Sequence, residues 1–141
     1  MGTHKDWETY VINSDTGKVC FAQSKPVLQS PKNSSREARL FISFRPGEKI
    51  TNEISVTAGY EFNNKNSVIA QSGKNKYKLD LIQDGFAWMT GTKLEIKMIK
   101  TMKRGSRIMI TGNTQTGSST IDHYSLLGFT KAYNATKANC S

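Results

Sequence analysis

The chain predicts a mainly β domain, an antiparallel sandwich or barrel with two helices, on three observations. Short runs rich in β-branched and aromatic residues are punctuated by Gly, Asn and Pro turns. Between the turns apolar residues alternate, most clearly where Tyr77, Leu79 and Leu81 face away from Lys78 and Asp80. This period of two gives way to a helical period in only two places, at about 93–104 and at about 126–139.

The elements follow in order. Residues 7–12, a cluster of turn formers at 13–17 and residues 18–23 read as a β-hairpin with Cys20 on its second strand. Residues 24–36, with Pro26, Pro31 and the Asn33 triplet, read as a loop. Strands are expected at 39–45 and 50–57, separated by Pro46 and Gly47, with Ile50, Asn52, Ile54 and Val56 on one face. A polar turn at 63–66 precedes a short strand at 68–70, and one strand is expected over 77–83. Asp84 and Gly85 then turn the chain into residues 86–88.

In the first helix Leu94, Met98 and Met102 recur at i, i+4 and i+8, and Gly105 is the expected C-cap. Strands follow at 107–112 and 117–124. From Ser125, the expected N-cap, Leu126, Phe129, Tyr133 and Cys140 share one face of the last helix. Trp7, Tyr60 and Trp88 are expected in the core. The domain is expected to span residues 6–141, with 1–5 a foreign remnant or a disordered arm.

At 141 residues the chain has the length of one domain. Its net charge of +9 favours anionic partners, whether nucleic acid, acidic head groups, acidic glycans or acidic proteins. The largest concentration of charge is on the first helix, where Lys93, Lys97, Lys100 and Arg104 fall on one face and form the candidate anion-binding set. Solvation of an ordinary amphipathic helix explains the same residues. Charge and aromatics are present, but no RNP strand motif, helix-turn-helix or zinc module points to specific nucleic-acid binding. No apolar run is long enough for a transmembrane helix, and the first residues lack the apolar segment of a signal peptide; prior removal of a signal sequence fits the same observation.

Several motifs invite chemistry. Asp122 and His123 with Ser119 or Ser125 suggest a triad, but neighbours on a strand point to opposite faces, and no GxSxG elbow is present. No catalytic residue is therefore assigned; the alternative readings are a periplasmic hydrolase using His123 and an anion- or nucleic-acid-binding β-domain. The stretch 112–119 nearly matches a phosphate loop but lacks the lysine and the following helix, so a hairpin turn is expected. No cofactor or metal ligand set is expected, and Asn33 and Asn134 begin triplets that match glycosylation acceptors. The two cysteines, Cys20 and Cys140, are too far apart for a CxxC motif; a disulfide and two reduced thiols, one of them beside His123, remain open.

Taken together, Trp7-x-x-Tyr10, Cys20 followed by Lys25 and Pro26, Asn52-Glu53-x-Ser55, Gly59-Tyr60, Ala87-Trp88 and Met102-x-x-Gly105 form a pattern. With Asp122-x-Tyr124-Ser125-Leu126-x-Gly128-Phe129-x-x-Ala132 and the final Cys140, the chain resembles the invasion-associated locus B family of bacterial exported proteins. The resemblance implies a β-sandwich-like domain in the periplasm or at the cell surface, a Cys20–Cys140 disulfide and no transferable catalytic residue or cofactor. It also implies a second cysteine pair near the middle of the domain, which this chain lacks between Trp88 and Met98, so a function tied to that loop, invasion included, is not carried over. The expected protein is a non-enzymatic envelope protein whose basic surface meets an anionic or protein partner.

Overall fold

The computed structural model describes residues 2–15, 17–31, 36–63 and 65–140. Its strands, in chain order, begin with β1 (Gly2–His4), β2 (Trp7–Ser14), β3 (Gly17–Ser24), β4 (Leu28–Ser30), β5 (Arg39–Arg45) and β6 (Ile50–Thr57). They continue with β7 (Val68–Ser72), β8 (Asn75–Leu79), β9 (Leu81–Gln83), β10 (Phe86–Trp88), β11 (Arg107–Asn113) and β12 (Ser119–Ser125). Helix α1 is Thr92–Arg104 and helix α2 is Phe129–Asn139.

The strands form two antiparallel sheets, ordered β1-β2-β3-β5-β6-β10-β9 and β4-β12-β11-β7-β8, so the architecture is a sandwich and not a closed barrel. Alternation along each strand explains the core between them. Leu40, Ile42, Ile54 and Val56 point in from the seven-stranded sheet, and Ala70, Leu79, Ile108, Ile110 and Tyr124 from the five-stranded one. Trp7 is fully buried and its indole N–H donates to the Ser125 carbonyl at 2.9 Å, which joins the start of the chain to the end of β12.

The expected β2–β3 hairpin and the β5 and β6 strands stand where the sequence places them. Asp84 and Gly85 both have positive φ, 52° and 81°, the geometry that a two-residue turn between β9 and β10 demands. The stretch 112–119 closes the β11–β12 hairpin, with the Thr114 N–H donating to Ser118 at 2.8 Å. Gly2–His4, placed outside the domain by the sequence reading, is not a disordered arm: it pairs with β2 as an edge strand. The Asn33 triplet lies outside the described residues, while Asn134 is exposed on α2.

Four further expectations about the elements require correction. Residues 77–83 are not one strand: Tyr77 and Leu79 are buried in the five-stranded sheet, but after Asp80 the chain crosses to the other sheet, where Leu81 is exposed. The loop 24–36 contains β4, paired with β12. In α1 the buried stripe is Met98, Ile99 and Met102, while Leu94 is 48% exposed; the helix leans on its C-terminal half.

The fourth concerns Ser125. It ends β12 and is not the N-cap of α2, which begins at Phe129 after Gly128. Its hydroxyl donates to Asp6 Oδ2 at 2.5 Å and accepts the Leu127 N–H at 3.1 Å. Gly128 takes φ 86°, and a Cβ there would meet the His4 carbonyl oxygen at 1.9 Å, so the entry to α2 requires glycine on both conformational and steric grounds. Leu126, Phe129, Tyr133 and Cys140 nonetheless all face the core.

Candidate functional site

The exposed cations of α1 come first. Thr92 opens the helix after Gly91, and burial of Met98, Ile99 and Met102 turns Lys93, Lys97, Lys100 and Arg104 outward, all of them exposed. Tyr77 on β8 hydrogen-bonds Thr101 Oγ1 at 2.6 Å and so fixes the helix beside the β7–β8 hairpin. Lys97, Lys100 and Arg104 line a groove with Lys74 of the hairpin turn and Arg107 at the start of β11. Lys93 lies outside it. Lys103 sits 4.6 Å from the centre of the Tyr133 ring and is held by α2. Among the described residues the ion pairs are Arg36–Asp122, Arg39–Glu37, Arg45–Glu48 and Arg45–Glu53, none of which involves the groove. An accumulation of unpaired positive charge beside the Thr101 and Tyr77 hydroxyls can attract and hold anions.

Asp122 and His123 do not form a catalytic pair. Adjacent on β12, they face opposite sides of the sheet. Asp122 is fully buried and accepts from Arg36 at 2.7 and 3.0 Å and from Gln29 at 3.1 Å. This cluster ties β12 to the segment before β5, since Arg36 also donates to the Ala58 carbonyl at 3.0 Å. Ser119 donates to Asn113 and Ser125 to Asp6, so neither serine is bonded to His123, whose Nδ1 is buried without a hydrogen-bond partner. The Tyr124 hydroxyl is likewise buried and unpartnered, and burial, reinforced by the Asp122 charge, pushes its acidity far out of the physiological range.

Cys20 on β3 and Cys140 after α2 are joined by a disulfide, with S–S 2.02 Å across a sequence separation of 120. No thiol is therefore left to pair with His123. Among the described residues no group of three or more His, Cys, Asp or Glu is arranged to hold a metal, and no helix is long and apolar enough to cross a membrane.

Sequence reasoning missed a second surface. Trp88, expected in the core, is half-buried on the outer face of the seven-stranded sheet, beside Phe86. With Tyr10, Phe21 and Phe41 these residues form a row of rings. The signal existed in β5, where Leu40, Phe41 and Ile42 are apolar on both faces of a strand that needs only one. Tyr60, also expected in the core, is half-buried, and its hydroxyl meets Thr120 Oγ1 at 2.6 Å. Near the row, Glu95 of α1 has its carboxyl pushed up to about 7, chiefly by burial and then by the charge of Glu53.

A two-sheet β-sandwich closed by a disulfide between an early strand and the C-terminal helix, with a cationic groove on its surface, is the class that these features define. The family model described as Invasion associated locus B (IalB) protein matches residues 7–137. The chain belongs to that family. A comparison with curated proteins finds no match, and neither does a comparison with solved structures.

Proposed function

We propose that this protein is an exported, non-enzymatic component of the bacterial envelope, periplasmic or at the cell surface, which holds an anionic partner in the groove between α1 and the β7–β8 hairpin. The observation that carries this reading is the set of cations facing that groove, Lys97, Lys100, Arg104, Lys74 and Arg107, without a carboxylate among them. Export is supported by family membership and by the disulfide, a bond that persists in oxidising compartments. The non-enzymatic reading is supported by Asp122 being engaged by Arg36 and by both candidate serines bonding elsewhere.

The triple variant Lys97→Gln, Lys100→Gln, Arg104→Gln tests the reading on heparin, on lipopolysaccharide and on vesicles containing anionic lipid. Retention of the wild type should fall steeply as salt rises, and the variant should elute at much lower salt. Equal retention of the two proteins would remove the groove from the function. A partner contacted only through Lys93, outside the groove, would leave the triple variant unchanged and show up on Lys93→Gln.

A further inference from the structure

The outer face of the seven-stranded sheet is built unlike an ordinary solvated face. An antiparallel sheet that packs one side on a core normally presents polar residues on the other. Here Tyr10, Phe21, Phe41, Phe86 and Trp88 cross β2, β3, β5 and β10, with successive ring centres 5.1, 5.9, 6.2 and 5.8 Å apart. Between β5 and β10 runs β6, which contributes Ser55 at the register position opposite both Phe41 and Trp88. That small residue, with Ser43 on β5, leaves a trough walled by rings and floored by hydroxyls. Among the described residues the trough is lined by strands of this one sheet alone, with no helix and no strand of the other sheet in its lining.

At Trp88 the trough opens into a second hollow. Arg45, Glu53 and Trp88 line both, and Glu95 of α1 closes the far side of the second. Arg45 lies 3.5 Å from Glu53 and 3.9 Å from Glu48, so its charge is compensated, and the other cation of the second hollow, Lys49, shares the lining with Glu95. The junction is therefore polar and rich in hydrogen-bonding groups without being cationic.

We propose that this trough is a binding site for a neutral oligosaccharide, its sugar rings stacked on Phe41, Phe86 and Trp88 and its hydroxyls bonded by Ser43, Ser55, Arg45 and Glu53. A pyranose has an apolar C–H face that lies on an aromatic ring and a rim of hydroxyls that both donate and accept. The trough supplies both complements along one line. The other ligands of aromatic rows fit less well. Stacked nucleic acid needs a positive rail along its backbone, where the two hollows set Glu53 and Glu95 against Arg45 and Lys49 and carry no excess of cations. An acyl chain needs enclosure from water, and the trough is open along its length with hydroxyls in its floor. An added β-strand needs an unpaired sheet edge, whereas β3, β5 and β6 are paired on both sides. The site is separate from the cationic groove on α1 and does not depend on it.

Trp7 is fully buried, so tryptophan fluorescence reports ligand at Trp88. The whole chain is titrated with neutral hexasaccharides, β-1,4-linked glucose, β-1,4-linked N-acetylglucosamine and α-1,4-linked glucose, in about 0.5 M NaCl to screen the basic groove. At least one should give a saturable change. Phe41→Ala and Phe86→Ala should each weaken binding about tenfold or more. Trp88→Phe keeps a ring in place and should retain calorimetric binding while losing the optical signal. Lys97→Gln with Lys100→Gln should leave sugar binding unchanged. The proposal is overturned if none of the hexasaccharides binds, or if binding is unaffected by Phe41→Ala and Phe86→Ala. Saturable binding of dodecanoate without sugar binding, or a concentration-dependent dimer abolished by Phe41→Ala, would equally overturn it by giving the trough another occupant.

Discussion

The two helices pack against each other, yet they use their surfaces in opposite ways. Helix α2 buries Phe129, Ala132, Tyr133 and Thr136, sets Phe129 in a T-shaped contact with Trp7 at 5.0 Å between ring centres, and ends at a cysteine bonded to β3. Helix α1 buries only Met98, Ile99 and Met102 and exposes five cations, Lys93, Lys97, Lys100, Lys103 and Arg104. The difference separates stability from recognition. Residues that hold α2 are expected to matter for folding, and residues that α1 exposes are expected to matter for what the protein touches.

The largest expected effect is on the α2 side. Replacing Cys20 and Cys140 together by serine releases the loop-closure constraint of a separation of 120 residues, which should lower the unfolding free energy by about 4 to 5 kcal/mol. Urea denaturation measures it, and a loss below 1 kcal/mol would mean that α2 is held by packing alone. Next comes the core contact of each helix. Phe129→Ala should cost about 4 kcal/mol and Met102→Ala about 3 kcal/mol, since both side chains are fully buried. The opposite ranking would make α1 the better anchored helix.

A smaller effect concerns pH. The native state holds the Glu95 proton up to about 7, against an ordinary value of 4.5, because burial and Glu53 disfavour its charge. Between those values the folded chain binds more protons than the unfolded one, so stability from this group is present at low pH and is lost as pH rises towards 7. Glu95→Gln should match the wild type near pH 4 and exceed it at pH 8, as read from denaturation midpoints. A variant that is less stable than the wild type at pH 8 would show that the ionised carboxylate contributes a favourable contact. The smallest effect is expected on the exposed face of α1: Lys97→Gln, Lys100→Gln and Arg104→Gln should each change stability by no more than about 0.5 kcal/mol, by the same denaturation assay. A larger loss would give those side chains a structural role.

What was legible in the sequence is what local pattern decides. The β2–β3 hairpin, the β5 and β6 strands and α1 announce themselves by period and punctuation within a few residues of one another. The errors fall where long-range pairing decides. Alternation runs unbroken through Asp80, but which sheet Leu81 joins depends on its pairing with β10. Ser125 carries the side chain of a helix cap, yet its partner is Asp6, 119 positions away. Leu94 fits the stripe by spacing, yet burial in α1 begins only at Met98. Tyr10, Phe21, Phe41 and Phe86 come from four separate runs, and only the order β2-β3-β5-β6-β10 makes them one surface. The disulfide was implied by the family resemblance, since spacing left the thiols open.

The bond from Cys20 to Cys140 also turns most of the chain into a covalent ring. A protease that cuts any single peptide bond inside the ring opens a loop without releasing a fragment. The cut molecule keeps its mass on a non-reducing gel and separates into two pieces only on reduction. A single nick therefore leaves one covalently connected molecule.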